Sequence, residues 1–202
     1  MTAPPQLRIA QVIPDTEAEG PGKRFALWVQ GCTIRCPGCC NPEMFVADRG
    51  GRLVSPAELA AEILAVPGIE GISVLGGEPF EQPGALAELC RLVRAAGRSI
   101  MIYTGYTLAE LKARNSPDVE ALLATADLLV DGRYDQTKPE KSGRRWIGSS
   151  NQVLHFFSDR YAKDDPRFAT SNTVEFRFVN GQLTINGWPQ AADAFRRRDP
   201  HK

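Results

Sequence analysis

Histidine is scarce in this chain: its 202 residues include only His155 and His201. That shortage argues against a His-based hydrolytic triad and against a His-rich zinc site. Excess charge is missing as well, because 24 Lys and Arg balance 24 Asp and Glu. The basic field that draws proteins to nucleic acid or to an anionic membrane is therefore lacking, and neither partner is expected. No apolar run approaches the ~18 residues of a membrane span. The opening MTAPPQLRIA has no apolar signal core, so a soluble, cytoplasmic protein is expected. Internal repeats and low-complexity segments are absent too. At roughly 100–200 residues per domain, the length suits one domain with a real core.

What the chain does have is cysteine in an unusual place. Four of its five cysteines fall within nine residues, at 32, 36, 39 and 40, and the fifth is Cys90. In a reducing compartment such a cluster points to a metal or to catalysis rather than to disulfides. The spacing Cys32-x3-Cys36-x2-Cys39 lets one loop wrap a compact metal centre. An iron–sulfur cluster with three protein ligands keeps one iron open, which marks a catalytic site rather than a closed structural one. Zinc and unliganded thiols remain alternatives, although structural zinc usually pairs Cys-x2-Cys with a second such pair, and none follows. Cys40 could compete as a ligand. Cys90, on the apolar face of a helix, reads as a small core residue.

The rest of the pattern is α/β. Residues 6–13 read as a strand, followed by a loop from Pro14 to Gly22, and Phe25–Gln30 as a buried strand that delivers the cysteines. Ser55, Pro56 and Glu58 start a helix with a capping box. Residues 72–75 form a strand ending in Gly76-Gly77-Glu78-Pro79. A helix then runs from Pro83 to a stop at Gly97. Residues 99–103 lead to Thr104-Gly105-Tyr106, and Thr107 with Glu110 cap a helix to about Arg114. A further helix runs from Ser116 to Leu123, and residues 127–130 form a strand ending at Asp131-Gly132. This alternation predicts βαβ units and a parallel sheet, whose C-terminal strand ends share one edge. Four chemical clusters should converge there. With too few strands for eight, a partial, open (βα) barrel is expected. Beyond a linker over 159–170, Thr173–Phe178, the Asn180-Gly181 turn signal and Gln182–Asn186 predict an appended β-hairpin.

The sequence resembles radical S-adenosylmethionine (SAM) activating enzymes. The resemblance rests on Gly20-Pro21-Gly22-Lys23-Arg24, Trp28, and Gly31-Cys32-x3-Cys36-x2-Cys39-x-Asn41. Cys36-Pro37-Gly38-Cys39, Gly71-Ile72-Ser73, Gly76-Gly77-Glu78-Pro79 and Thr104-Gly105-Tyr106 make it similar, more narrowly, to anaerobic ribonucleoside-triphosphate reductase activating proteins. Leu129-Val130-Asp131-Gly132 and Trp146-x-Gly148-Ser149-Ser150-Asn151-Gln152 extend the likeness to about Phe157. The resemblance implies a TIM-like open barrel of the radical SAM type over residues 1–158. Residues 159–202 would be an extension of the same domain, carrying the hairpin. It further implies that Cys32, Cys36 and Cys39 hold a [4Fe–4S] cluster whose open iron chelates SAM. Reductive cleavage would give a 5′-deoxyadenosyl radical that abstracts hydrogen from a glycine of a partner glycyl radical enzyme.

Gly76, Gly77 and Glu78 would face the methionine amino group, since glycines admit a ligand closely and a carboxylate accepts from an ammonium. A tight turn that merely needs glycine is the plainer reading. Thr104 would face ribose or methionine, Asn41 would fix the cluster loop or touch SAM, and Asp131, Ser150 and Asn151 would position SAM or substrate. Ordinary turn and loop chemistry competes for each of these. Arg24 reads equally as a structural partner, Trp28 as core and His155 as a packed strand residue. Gly38 stands where many radical SAM enzymes have an aromatic, as glycine does in the narrower family. The departures from that family are Cys40 where an aromatic is frequent, Ile147 where Arg is usual, and the tail from about Ser158 to Lys202. A maturase or synthase acting on a peptide or small molecule is the competing function. A non-catalytic iron–sulfur or zinc module is the third. Two remaining cysteines are too few for a second cluster, so the electron would come from an external donor such as flavodoxin or ferredoxin.

Overall fold

Nine strands and four α-helices form among residues 5–179 and 181–188, the residues described by this computed structural model. In chain order they are β1 (Leu7–Thr16), β2 (Arg24–Val29), β3 (Arg52–Val54), α1 (Pro56–Leu64), β4 (Gly71–Gly76), α2 (Pro83–Ala95) and β5 (Ser99–Tyr103). Then follow α3 (Leu108–Ala113), α4 (Pro117–Thr125), β6 (Leu128–Asp131), β7 (Val153–Phe156), β8 (Val174–Val179) and β9 (Gln182–Gly187). The helix starts follow from local chemistry. The Ser55 and Thr107 hydroxyls accept from the backbone N–H groups of Glu58 and Glu110, and both glutamates reach back to the capping residue. Each closed box satisfies donors that the first turn would otherwise leave open. The end of α2 is set by Gly97, whose φ of 81° belongs to the left-handed region that glycine enters freely.

Seven strands make one sheet in the order β3-β1-β2-β4-β5-β6-β7, with β2, β4, β5 and β6 mutually parallel. β1, β3 and β7 pair antiparallel, which leaves β3 and β7 as edges. The mixed α/β sheet is open. β1 runs on through Pro14 to Thr16, beyond the expected loop boundary. It does so because the register with β2 slips between Ile13 and Thr16, and such an irregularity is where a strand tolerates proline. β3 is too short to show a period and was not anticipated. No helix among the described residues is long and apolar enough to cross a membrane.

Alternation along the strands sorts residues onto two unlike faces. Phe25, Leu27, Val29, Ile72, Val74, Ile100, Ile102 and Leu129 pack with Leu59 and Ile63 of α1, Leu86, Leu89 and Cys90 of α2, and Val119 and Leu122 of α4 in one apolar core. Cys90 is fully buried there. The other face carries Ala26, Trp28, Met101, Leu128 and Val130, and is covered by loops and the C-terminal extension. It also buries Arg24, whose guanidinium donates to Ser73 Oγ (2.8 Å), Ser99 Oγ (3.0 Å), Tyr161 OH (3.2 Å) and the Pro21 carbonyl (3.1 Å). Arg24 is thus a structural tie between strand starts and the extension.

Segment 159–170, expected as a linker, is packed rather than spanning. Tyr161 is buried, Pro166–Ala169 form a 3-10 turn, and Phe168 sits edge-on to Trp146 and Phe156. β8 and β9 form the expected hairpin, with Phe176 opposite Ile185 and Phe178 opposite Leu183. Asn180 of its turn, and the part of the extension from 189 to 202, lie outside the described residues.

Candidate active site

β2 ends at Val29, and the chain leaves the sheet through Gly31, whose φ of 100° turns it into the cysteine loop. The loop is held by its backbone. Gly31 N–H donates to the Met44 carbonyl (2.8 Å), Cys32 N–H to that of Phe45 (3.2 Å) and Cys39 N–H to that of Cys36 (3.1 Å). Gln30 Nε2 donates to the carbonyls of Glu43 and Val46, closing the loop's far side. The Thr33 N–H and hydroxyl both reach Glu81 Oε1. Asn41 contributes through its backbone, whose N–H points at Cys39 Sγ at 3.5 Å. Burial pushes the Cys32 and Cys36 thiols up. Cys39 is drawn down to about 7, first by the Cys40 thiol and also by the Asn41 N–H.

The turn after β4 is built against this loop. Gly77 N–H donates to the Val29 carbonyl (2.8 Å), and Glu78 N–H to that of Gly31 (2.7 Å). A Cβ on Gly77 would lie 2.1 Å from the Gly31 oxygen, and one on Gly76 would lie 2.3 Å from Val29 N. Both glycines are therefore demanded by the approach of one backbone to another, as the plainer reading of this motif requires.

The Glu78 carboxylate is 1% exposed, and its three hydrogen bonds all come from the protein. Oε1 accepts from Phe80 N–H (2.9 Å) and Thr104 Oγ1 (2.8 Å), and Oε2 accepts from Gly105 N–H (2.8 Å). Burial raises its pKa to about 7 although these bonds pull the other way. In this structure Glu78 and Thr104 clasp the end of β4 to the end of β5.

These strand ends surround one cavity of about 210 Å³. Cys32, Cys36, Cys39, Cys40 and Asn41 line it after β2, Gly76, Gly77 and Glu78 after β4, Thr104 and Gly105 after β5, and Gly132 after β6. Among the described residues, no three His, Cys, Asp or Glu side chains gather closely enough to grip a single ion. The thiols of Cys32, Cys36 and Cys39 all face the same cavity wall.

Asp131, Ser150 and Asn151, expected at the site, are not among the cavity-lining residues. Asp131 alternates onto the helix face with Leu129, where Oδ2 accepts from Leu108 N–H (2.6 Å) and lies 3.0 Å from His155 Nε2. Ser150 and Asn151 are exposed, and Asn151 Nδ2 donates to the Arg133 carbonyl (2.8 Å). Their motif reaches the cavity through Gly148 and Gln152. Gln152 ties that turn together, accepting from Gly148 and Ser149 N–H and donating to the Gly132 carbonyl, each at 3.0 Å.

Sequence reasoning missed several cavity residues. Trp28 is both packed and lining, and Tyr103, Tyr134 and Trp146 add aromatic wall. Tyr103 closes a strand and Trp146 opens the Gly-Ser-Ser-Asn-Gln motif, so both could have been flagged by position. The sequence marks the hairpin through Asn180-Gly181, but no local pattern gives its place at the cavity.

A family model described as a 4Fe-4S single cluster domain matches residues 18–155. The anaerobic ribonucleoside-triphosphate reductase-activating protein of Vibrio cholerae serotype O1 is 35% identical over 156 residues, covering 73% of this chain and 97% of that protein. The protein of the same name from Escherichia coli K12 is 33% identical over 157 residues (72% and 96%), and that of Enterobacteria phage T4 31% over 162 (77% and 97%). The chain belongs to this family of 4Fe-4S single-cluster, anaerobic ribonucleoside-triphosphate reductase-activating proteins. The donor set fits the group: three cysteines of one loop share a cavity wall, and a run of backbone hydrogen bonds fixes the loop that carries them.

Proposed function

We propose that this chain is a radical SAM activase that acts in the cytoplasm on an anaerobic ribonucleotide reductase, abstracting hydrogen from a glycine of that enzyme. The observation that carries the reading is the shared wall of Cys32, Cys36, Cys39 and the Gly76-Gly77-Glu78 turn, hydrogen-bonded to one another through Gly31. On this reading the sheet is the open (βα) barrel of the radical SAM type. Cys32, Cys36 and Cys39 would hold a [4Fe–4S] cluster, and Gly76, Gly77, Glu78 and Thr104 at the ends of β4 and β5 would hold SAM. The cluster, when bound, supplies the electron that cleaves SAM and so starts the radical chemistry.

The protein's own part is placement and exclusion. Gly31 and Gly77 fix the distance between the cysteine loop and the β4 turn. Glu78, already satisfied by three protein donors, holds that turn and Thr104 in place, so their backbone groups meet SAM without rearranging. Trp28, Tyr103 and Tyr134 make the wall apolar and keep water from a reactive site. The electron is supplied by an external donor, a flavodoxin or ferredoxin.

Anaerobic reconstitution tests the proposal. The expected result is one [4Fe–4S] cluster per chain, 5′-deoxyadenosine under reduction, and a glycyl radical signal on the reductase. SAM cleavage without that signal would instead favour a maturase or synthase with another substrate. Iron binding without SAM cleavage would reduce the chain to a non-catalytic module.

A further inference from the structure

The cavity has a second end, and this chain builds it from residues beyond the family match, which stops at residue 155. Asn172, Ile185, Asn186 and Trp188 of the extension line the cavity together with Trp146. The hairpin is seated there specifically. Gly187 N–H donates to Glu19 Oε1 (2.7 Å), Asn186 Nδ2 to Thr16 Oγ1 (3.0 Å) and Glu19 Oε1 (3.4 Å), and Trp188 N–H to the Thr173 carbonyl (3.0 Å). A Cβ on Gly187 would lie 2.2 Å from the Thr173 oxygen. Trp146 is held at a φ of 62°, a conformation uncommon for a bulky residue, and Asn172 Oδ1 accepts from its N–H at 2.7 Å. Strained residues of this kind concentrate at ligand clamps.

Three residues that line this end each carry a buried polar atom with no hydrogen-bond partner: Trp146 Nε1, Trp188 Nε1 and Asn186 Oδ1. Trp146 and Asn186 are 7% and 5% exposed. Native proteins rarely leave such atoms unmet, and each asks for an occupant. The set is two donors and one acceptor, carried on aromatic walls. It complements a peptide unit, which offers one carbonyl and one N–H.

We propose that the hairpin forms a substrate-binding end of the cavity, which takes a backbone segment of the partner reductase next to the attacked glycine. A carbonyl of that segment accepts from the Trp146 and Trp188 indoles, and an N–H donates to Asn186 Oδ1. This rests on the activase reading and extends it, making the extension the part that recognises the partner's main chain.

The test uses the full chain with its cluster reconstituted, the purified anaerobic ribonucleotide reductase as substrate, and Trp188→Phe, which keeps an aromatic side chain but deletes the indole donor. The expected result is a KM for the reductase raised about tenfold with kcat retained, the scale of one lost hydrogen bond. Asn186→Ala, which also loosens the hairpin from Thr16, should raise it further. A synthetic peptide spanning the reductase's glycine segment, titrated by calorimetry, should lose affinity in the same order. An unchanged KM and an unchanged peptide affinity in both variants overturn the inference and leave the activase reading standing. So does a loss of SAM affinity without a change in KM, which would assign this end to SAM. Wild-type protein that cleaves SAM but raises no glycyl radical overturns the activase reading, and the inference with it.

Discussion

The two faces of the central sheet come from the same short strands and do different work. Along β2, Leu27 enters the apolar core with α1 and α2, whereas Trp28, one residue on, lines the cavity. Along β6, Leu129 joins the helix core, and Val130 packs on the other face with Trp146. One face is mostly hydrocarbon, with Asp131 at the end of β6 the polar exception. The other mixes aromatic rings with buried polar groups such as Arg24 and Ser73. A period of two thus lets one strand anchor the fold and shape the site, with the chemistry itself carried just past the strand ends.

The largest expected effect separates two cysteines on opposite sides of that division. Cys36→Ala should lose the iron content of a [4Fe–4S] cluster and all SAM cleavage. Cys90→Ala, in the helix core, should keep both. Iron retained by Cys36→Ala would break the division. Leu27→Ala deletes fully buried contacts on the helix face and should cost about 2–5 kcal/mol by denaturant titration. Its reconstituted cluster should be spectroscopically unchanged, and a changed spectrum would mean that the faces are coupled.

Glu78 gives a pH test with a definite sign. Its carboxyl titrates at about 7 when folded, against an ordinary 4.5. The folded state therefore keeps an extra proton between these values, so the stability of the cluster-free chain falls as pH rises through that window and levels off above it. The fall is at most about 3 kcal/mol, and Glu78→Gln should flatten it. A melting temperature that rises with pH over the same range in the wild type, flattened by Glu78→Gln, would contradict the burial described here. The smallest effect is expected at Asp131. Asp131→Asn should cost about 1 kcal/mol or less through its bond to Leu108 N–H, and should leave SAM affinity alone. A weakened SAM affinity would move Asp131 to the cavity side.

The elements were legible wherever local chemistry decides them. Capping boxes at Ser55 and Thr107, the stop at Gly97 and the buried run ending at Gly31 all act within a few residues. The convergence of the cysteine loop, Gly76–Glu78, Thr104 and Gly132 was legible too, because parallel strands place their C-terminal ends on one edge. Asp131 stands outside the cavity lining because alternation, and not position at a strand end, decides which face a residue takes. Ser150 and Asn151 stand outside the lining for another reason. Polar side chains in a motif can be used up in holding a turn, as Gln152 and Asn151 show. The docking of the hairpin on Thr16 and Glu19 depends on contacts more than 160 residues apart in sequence, which no local pattern encodes.

The most direct test of the central claim is electron paramagnetic resonance on the anaerobic ribonucleotide reductase after incubation with the reconstituted, reduced chain and SAM. A glycyl radical doublet that requires SAM and disappears with Cys36→Ala is the predicted result. A reductase that stays silent while the chain turns SAM into 5′-deoxyadenosine would contradict it.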